Sequence, residues 1–205
     1  MDTRHAVQFW YGEVVNPPEQ RIGRPRSEEA RTAVLNAVDD LLVEVGYAAM
    51  TMKNIAERAG VSRQTVYRWW STKAEILFEA SAADAVEEMT VPPSGSPLAE
   101  ITAYLHALVA FLVHSPAGAG YRALVGEAQH DPAVAKLLAS RDVLGDSAST
   151  VVSRAIGADA DAVNVEQLCA QLVGPVFYSV LSGRRAETLD VELLAQQFLS
   201  AVGSP

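Results

Sequence analysis

The chain has 205 residues, of which 49% are hydrophobic and 20% charged, and a formal net charge of −9. That length accommodates one large domain or a small domain joined to a larger one, and two unequal units suit it better. No uninterrupted apolar run approaches the roughly 18 residues of a membrane span, and the N-terminus MDTRHAVQFWYGEVV lacks a secretory pattern, so a cytoplasmic protein with no membrane partner is expected. Cys169 is the single cysteine, which excludes an internal disulfide and a cysteine-based metal cluster.

Residues 1–26 contain Pro17, Pro18 and Pro25, lack sustained periodicity and end in RIGRPR, which reads as a flexible arm with a basic end. Phe9, Trp10 and Tyr11 within it fit either docking on the body of the protein or a start site placed too far upstream. From Ser27 onward Ala30, Ala33, Val34, Ala37, Val38, Leu41, Leu42 and Val45 recur at helical spacing, Glu28 and Glu29 suit the positive end of the helix, and Gly46 supplies a stop. A short helix capped by Thr51 runs through Ile55 to Ala59, Gly60 allows a tight turn, and Ser62 caps a very short third helix. Thr72 with Glu75 forms a capping box for a fourth helix reaching about Met89.

TVPPSGSP, residues 90–97, is the clearest break in the chain. Helices are predicted beyond it at about 98–114, 119–130, 132–156, 161–182 and 190–202, separated by SPAGAG, the His130-Asp131-Pro132 step, GADAD and SGRRAETLD. No alternating strand-like run and no internal repeat is present, so the expected fold is all-α with about nine helices.

Charge is distributed unevenly. Between Lys53 and Lys73 five basic residues face one acid, a local +4 that leaves −13 on the rest of the chain. Physiological salt screens beyond about 8 Å, so this island acts on its own neighbourhood. A helix, a glycine turn and a second helix over residues 51–70 form a helix-turn-helix, whose second helix enters the DNA major groove. Ile55, Ala56, Ala59, Val61 and Val66 supply the apolar packing between its helices. Arg63, Gln64 and Thr65 fill the first turn after the Ser62 cap, where side chains reach base edges. Arginine suits guanine acceptors, glutamine suits adenine, and the threonine methyl suits thymine. Tyr67, Trp69 and Lys73 then fit phosphate contacts, and Trp70 fits the core beneath.

TMKNIAERAGVSRQTVYRWWSTKAEIL resembles the DNA-binding segment of TetR/AcrR-type transcriptional regulators. That pattern is a Thr, an Ile-Ala pair, Ala-Gly-Val-Ser, a Tyr with two further aromatic or His positions, and a Lys. Here these are Thr51, Ile55 with Ala56, Ala59 to Ser62, Tyr67, Trp69 with Trp70, and Lys73. Trp69 stands where the family commonly has His or Tyr, and Trp70 where it commonly has Phe. The strong resemblance covers about residues 27–80. It implies backbone contacts from Thr51 and Lys53, base contacts from Arg63, Gln64 and Thr65, and a minor-groove role for the RIGRPR arm, for which a flexible tail is the alternative.

The resemblance further implies a DNA-binding domain over residues 27–74 and a helical effector-binding and dimerisation domain over 75–205. One recognition helix offers few contacts, and such proteins usually dimerise to reach half-sites about 34 to 36 Å apart. Leu168, Leu172, Val176 and Val180, with Leu194 and Phe198, form stripes on the last two helices that suit either a dimer face or an intramolecular core. The resemblance favours the dimer, with Gly174 and Ser179 permitting close approach and Pro175 bending the first helix. Tyr104, Phe111, His114, Tyr121, Gln171 and Tyr178 are candidate lining residues of a small-molecule effector pocket, each with an ordinary core or surface role as the alternative. The expected partners are thus double-stranded operator DNA, a second copy of the chain and an effector.

Catalysis finds no support in the residues. His106 and His114 lie eight positions apart without an accompanying metal motif, His130 stands alone, and no phosphate loop, nucleophile elbow or Cys-His pair is present. No cofactor and no metal are expected. The expectation is a repressor released from DNA by its effector, with a ligand-independent DNA-binding dimer as the alternative.

Overall fold

The computed structural model describes residues 24–157 and 164–202, and every regular element among them is helical. The elements are α1 (Arg24–Ala49), α2 (Met52–Arg58), α3 (Arg63–Tyr67), α4 (Lys73–Glu88), α5 (Pro97–His114), α6 (Pro116–Glu127), α7 (Pro132–Ala139), α8 (Val143–Ile156), α9 (Val165–Leu181) and α10 (Val191–Val202), with a 3-10 turn at Ala186–Thr188. The readings of Phe9, Trp10, Tyr11 and the arm up to residue 23 lie outside the described residues, as does most of the GADAD separator. Helix α1 begins at Arg24, three residues before the expected start, because Pro25 is tolerated in a first turn.

Gly46 has φ 74°, ψ 165°, so the regular part of α1 ends where the glycine was expected to stop it. The Thr72 hydroxyl accepts from Glu75 N at 3.2 Å as predicted, but the Glu75 carboxylate reaches one residue further back and accepts from Ser71 N at 2.6 Å. SPAGAG is not the loop it resembles. Ser115 caps α6, Pro116 opens it, and Gly118 and Gly120 lie inside it. A Cβ on Gly118 would stand 1.8 Å from the Phe111 carbonyl oxygen, and one on Gly120 would stand 2.8 Å from both Leu77 Cδ1 and Ser81 Oγ. These glycines let α6 press against α5 and α4. The expected helix 132–156 is split in two, because Asp142 starts α8 by accepting from Gly145 N at 2.9 Å.

Helix α5 runs through the centre of the larger half and touches α6, α8, α9 and α10. It is long and apolar enough on average to cross a membrane, yet Ile101, Tyr104, Leu105, Leu108, Phe111 and Leu112 are each 0% exposed, so it is a core helix. Helix α4 packs on α1 on one side and on α6 and α8 on the other, so the smaller and larger halves share it. The break before α5 is pinned: Glu100 accepts from Ser94 N at 2.7 Å, Gly95 N at 3.1 Å and Arg154 Nε at 2.5 Å, while Arg154 donates to the Val91 carbonyl at 2.9 Å. The Ser94 amide first, and Arg154 next, hold the Glu100 carboxyl below its ordinary value. A carboxylate of depressed pKa stabilises the fold at neutral pH and loses that contribution as pH falls through its folded value.

Asp39 on α1 shows the opposite sign. Its Oδ1 has no hydrogen-bond partner among the described residues, and burial first, then the charges of Asp84 and Asp40, push its pKa from 3.8 to about 6. A raised carboxyl favours the fold below pH 3.8 and loses that contribution as pH climbs to about 6. Asp39→Asn is therefore expected to stabilise the protein at pH 7 by on the order of 1 kcal/mol, after screening by water at this half-buried site. Thermal unfolding at pH 4 and pH 7 checks it: the gain is expected at pH 7 and absent at pH 4.

Candidate nucleic-acid interface

The turn-and-cap chemistry of residues 51–65 sets the edge that faces outward. Thr51 and Asn54 cap α2 reciprocally, Thr51 Oγ1 accepting from Asn54 N at 3.2 Å and Asn54 Oδ1 from Thr51 N at 2.8 Å. Gly60, at φ 66°, turns the chain, and Ile55, Ala56 and Val66 are buried between α2, α3 and α1. Ser62 Oγ accepts from Thr65 N at 3.0 Å and lies 2.9 Å from Thr65 Oγ1. The Thr65 N–H and hydroxyl are thus both engaged with Ser62. The side chains of Arg63 and Gln64, exposed on the same turn, have no intramolecular partner among the described residues.

Trp70 anchors this unit. It is 4% exposed, its Nε1 donates to Glu79 Oε2 at 2.9 Å, and Arg31, paired with Glu79 at 2.5 Å, lies 5.9 Å over its ring. Trp69 meets it edge to face at 5.5 Å and is half-buried, while Tyr67 is 54% exposed. Lys53 is exposed, with only a loose pair to Glu57 at 3.8 Å.

Two basic residues of the island are committed within the protein. Arg58 donates to Glu44 at 2.8 Å and lies 3.5 Å from Asp40, so it ties α2 to α1. Lys73, assigned from the sequence to phosphate, donates from Nζ to the Tyr47 carbonyl at 2.7 Å and the Met50 carbonyl at 3.0 Å and sits 4.2 Å from the Tyr47 ring centre. Those carbonyls lie where α1 ends, the Tyr47 carbonyl also accepting from Met50 N at 3.2 Å. Lys73 is therefore first an intramolecular cap, with one N–H left for anything else. Burial lowers its pKa, and Glu127 opposes that shift. Arg68, by contrast, was counted from the sequence only as charge. It is exposed, stacks 4.7 Å over the Trp69 ring and shares an open hollow with Ser62, Gln64, Thr65 and Tyr67. An arginine beside an aromatic at a helix end was the available signal.

The structure does not bring the six candidate effector residues together. Tyr104 and Phe111 are 0% exposed and Tyr121 is 9% exposed, all three packed in the core, with the Tyr104 hydroxyl bonded to Ser147 Oγ at 2.8 Å and the Leu144 carbonyl at 3.3 Å. His114, Gln171 and Tyr178 are exposed, because α5 and α9 turn those positions outward. Likewise Leu168, Leu172, Val176 and Phe198 are at most 8% exposed within this one chain, buried where α9 packs on α8 and α5 and α10 packs on α5. Only Val180 and Leu194 of that set are half-exposed. Ser179 is buried too, donating to the Pro175 carbonyl at 2.9 Å. The outward faces are Gln171, Gly174, Tyr178 and Leu181 on α9, and Leu193 and Gln197 on α10.

Residues 34–80 match the family described as bacterial regulatory proteins, tetR family, and residues 91–197 match the tetracyclin repressor-like C-terminal domain. The HTH-type transcriptional regulator YdeS of Bacillus subtilis (strain 168) is 33% identical over 167 residues, 80% of this chain and 84% of that protein. The HTH-type transcriptional regulator Rv1556 of Mycobacterium tuberculosis is 32% identical over 114 residues, 56% of this chain and 54% of its own length. Among solved structures, the TetR family transcription regulator SCO0332 superimposes with a TM-score of 0.67 at 27% identity, covering 86% of this chain and 100% of that one. Thermus thermophilus FadR, a repressor solved with lauroyl-CoA, shares the fold at a TM-score of 0.61 and 18% identity, over 84% of this chain and 92% of that one.

Proposed function

The chain belongs to the TetR family of bacterial transcriptional regulators, and we propose that it is a cytoplasmic homodimeric repressor, released from its operator by a small-molecule effector. Its relatives are regulators rather than enzymes. The observation that carries the DNA role is the first turn of α3, where Arg63 and Gln64 are exposed and unengaged while Thr65 is fixed by the Ser62 cap. In this reading Arg63, Gln64 and the Thr65 methyl meet base edges, and Thr51, Lys53, Tyr67, Trp69 and Arg68 meet phosphates, with the last N–H of Lys73 beside them. Residues 27–74 then serve DNA, and 75–205 serve dimerisation and the effector. The outward faces of α9 and α10 support the dimer better than the buried stripes do, because Tyr178 is 59% exposed, with only Arg184 over its ring, and Leu181 is 45% and Leu193 47% exposed.

A gel shift with the DNA upstream of the protein's own gene is the test, and salt-sensitive, sequence-selective retardation is expected. Absence of selective binding to that or any genomic fragment contradicts the reading. Gln64→Ala should change base preference at one position of each half-site, at a cost of about 1 to 3 kcal/mol for the preferred sequence, with random DNA bound as before. Lys53→Ala should weaken specific and random binding alike and reduce the salt slope by roughly one. Equal losses on both DNAs from both variants would remove the role assignment.

A further inference from the structure

A cavity of about 430 Å³ lies between the end of α1, the first turn of α4 and the α6–α7 corner. That volume is within the range of small-molecule sites, about 300 to 1,000 Å³. Its position is unusual in one respect. The helix-turn-helix, residues 51–70, joins the rest of the chain through two segments only, and both border this space: Tyr47 before it, and Thr72 to Glu75 after it. The opposite wall belongs to the large half and includes Ala133, Val134 and Leu137.

The charges around the cavity differ in what they are free to do. The Lys73 ammonium is occupied by two carbonyls, and the Glu75 carboxylate by the Ser71 amide. One Asp131 oxygen caps α7 through Ala133 N at 2.8 Å, and the other is open. The Glu127 carboxylate has no ion pair within 4.0 Å and no hydrogen bond among the described residues, and its charge acts on Lys73 from a distance. Burial first, then the charges of Glu127 and Asp131, raise the Tyr47 pKa, which places both carboxylates in electrostatic reach of the phenol. Lys136 also lines the space and is exposed. The formal charges lining the space are three carboxylates, Glu75, Glu127 and Asp131, against the ammonium groups of Lys73 and Lys136, a net −1 set beside an aromatic ring and apolar walls.

We propose that this junction cavity binds an organic cation, a protonated amine carried on a flat apolar body, with Glu127 and Asp131 holding the ammonium and Tyr47, Val134 and Leu137 enclosing the body. Binding there bears on both attachments of the helix-turn-helix at once and so shifts the angle at which α3 is presented. This last step rests on the regulator reading, whereas the binding step does not. The ligand alters DNA affinity only by as much as it prefers one of the two presentations.

Isothermal calorimetry on the full chain, with tryptamine, tryptophol and indole-3-acetate as cationic, neutral and anionic probes of one shape, tests the site. Tryptamine is expected to bind at least about tenfold tighter than the other two, and Glu127→Gln to weaken it about tenfold. Ala133→Trp, a substitution at an exposed position, is expected to fill the cavity and abolish the binding while circular dichroism stays unchanged. Absence of tryptamine binding, indole-3-acetate binding as tightly, or tryptamine binding surviving Ala133→Trp would each overturn the site. With the operator in hand, saturating tryptamine is expected to change its affinity roughly 5-fold or more. Tryptamine binding with unchanged operator affinity overturns the coupling, and failure of the free protein to select any DNA overturns the regulator reading while leaving the calorimetric result intact.

Discussion

Trp70→Ala is expected to cost about 3 to 5 kcal/mol of stability, the range for truncating a buried Phe or Trp, and to abolish operator binding even where the chain remains folded. The ring is 4% exposed beneath the helix-turn-helix, and its indole N–H holds Glu79, which in turn holds Arg31 on α1. Removing it opens a cavity, leaves Trp69 without its edge-to-face neighbour and frees the end of α3 from α4. For a chain of this length the loss corresponds to a fall in Tm on the order of 10 °C. Trp70→Phe keeps most of the apolar surface and gives up only the N–H bond, so it should fall well short of that. A melt of Trp70→Ala within about 2 °C of the parent would mean that the anchor lies elsewhere.

Gly118→Ala makes a sharper case, because helix propensity and packing predict opposite signs. In an open helix the change is worth roughly 1 kcal/mol in favour of alanine. At Gly118 the added methyl would lie 1.8 Å from the Phe111 carbonyl oxygen and 2.6 Å from its carbon, backbone atoms that cannot turn away as a side chain can. Separating α6 from α5 to make room disturbs the centre of the larger half, and a loss of about 3 kcal/mol is expected. Gly126, in the same helix, meets nothing within 4 Å, so Gly126→Ala should follow propensity and stabilise by about 0.5 to 1 kcal/mol. Urea unfolding of the two variants tests this directly, and equal signs would refute the packing account.

The same residues show what was legible in the sequence. Caps and turns at Thr51, Gly60, Ser62 and Thr72 are local chemistry, and they fall where the spacing placed them. Gly118 misled because a glycine required for helix contact has the same one-letter appearance as a glycine that ends a helix. The stripes on α9 and α10 were visible, but periodicity cannot say whether an apolar face meets its own chain or another, and here Leu168, Leu172, Val176 and Phe198 meet their own. Lys73 escaped for a related reason. Its partners are the backbone carbonyls of Tyr47 and Met50, more than twenty residues away, and no side-chain pattern announces a carbonyl. Arg58 left the basic island in the same way, through acids on α1.

Helix α4, wedged between α1 and the α6–α8 face, also governs how the halves can be recombined. A chimera that takes its DNA-reading part from a relative and joins it near residue 90 would import a foreign α4 and with it a mismatched surface toward α6 and α8. Joining at the Ser71–Thr72 step keeps the native α4 with the body that buries it, but severs the pairing of Trp70 with Glu79 and of Lys73 with the Tyr47 and Met50 carbonyls unless those residues match across the seam. On the proposed reading of α3, transplantable specificity is therefore confined to its few side chains without a bonding partner among the described residues, Arg63 and Gln64 foremost.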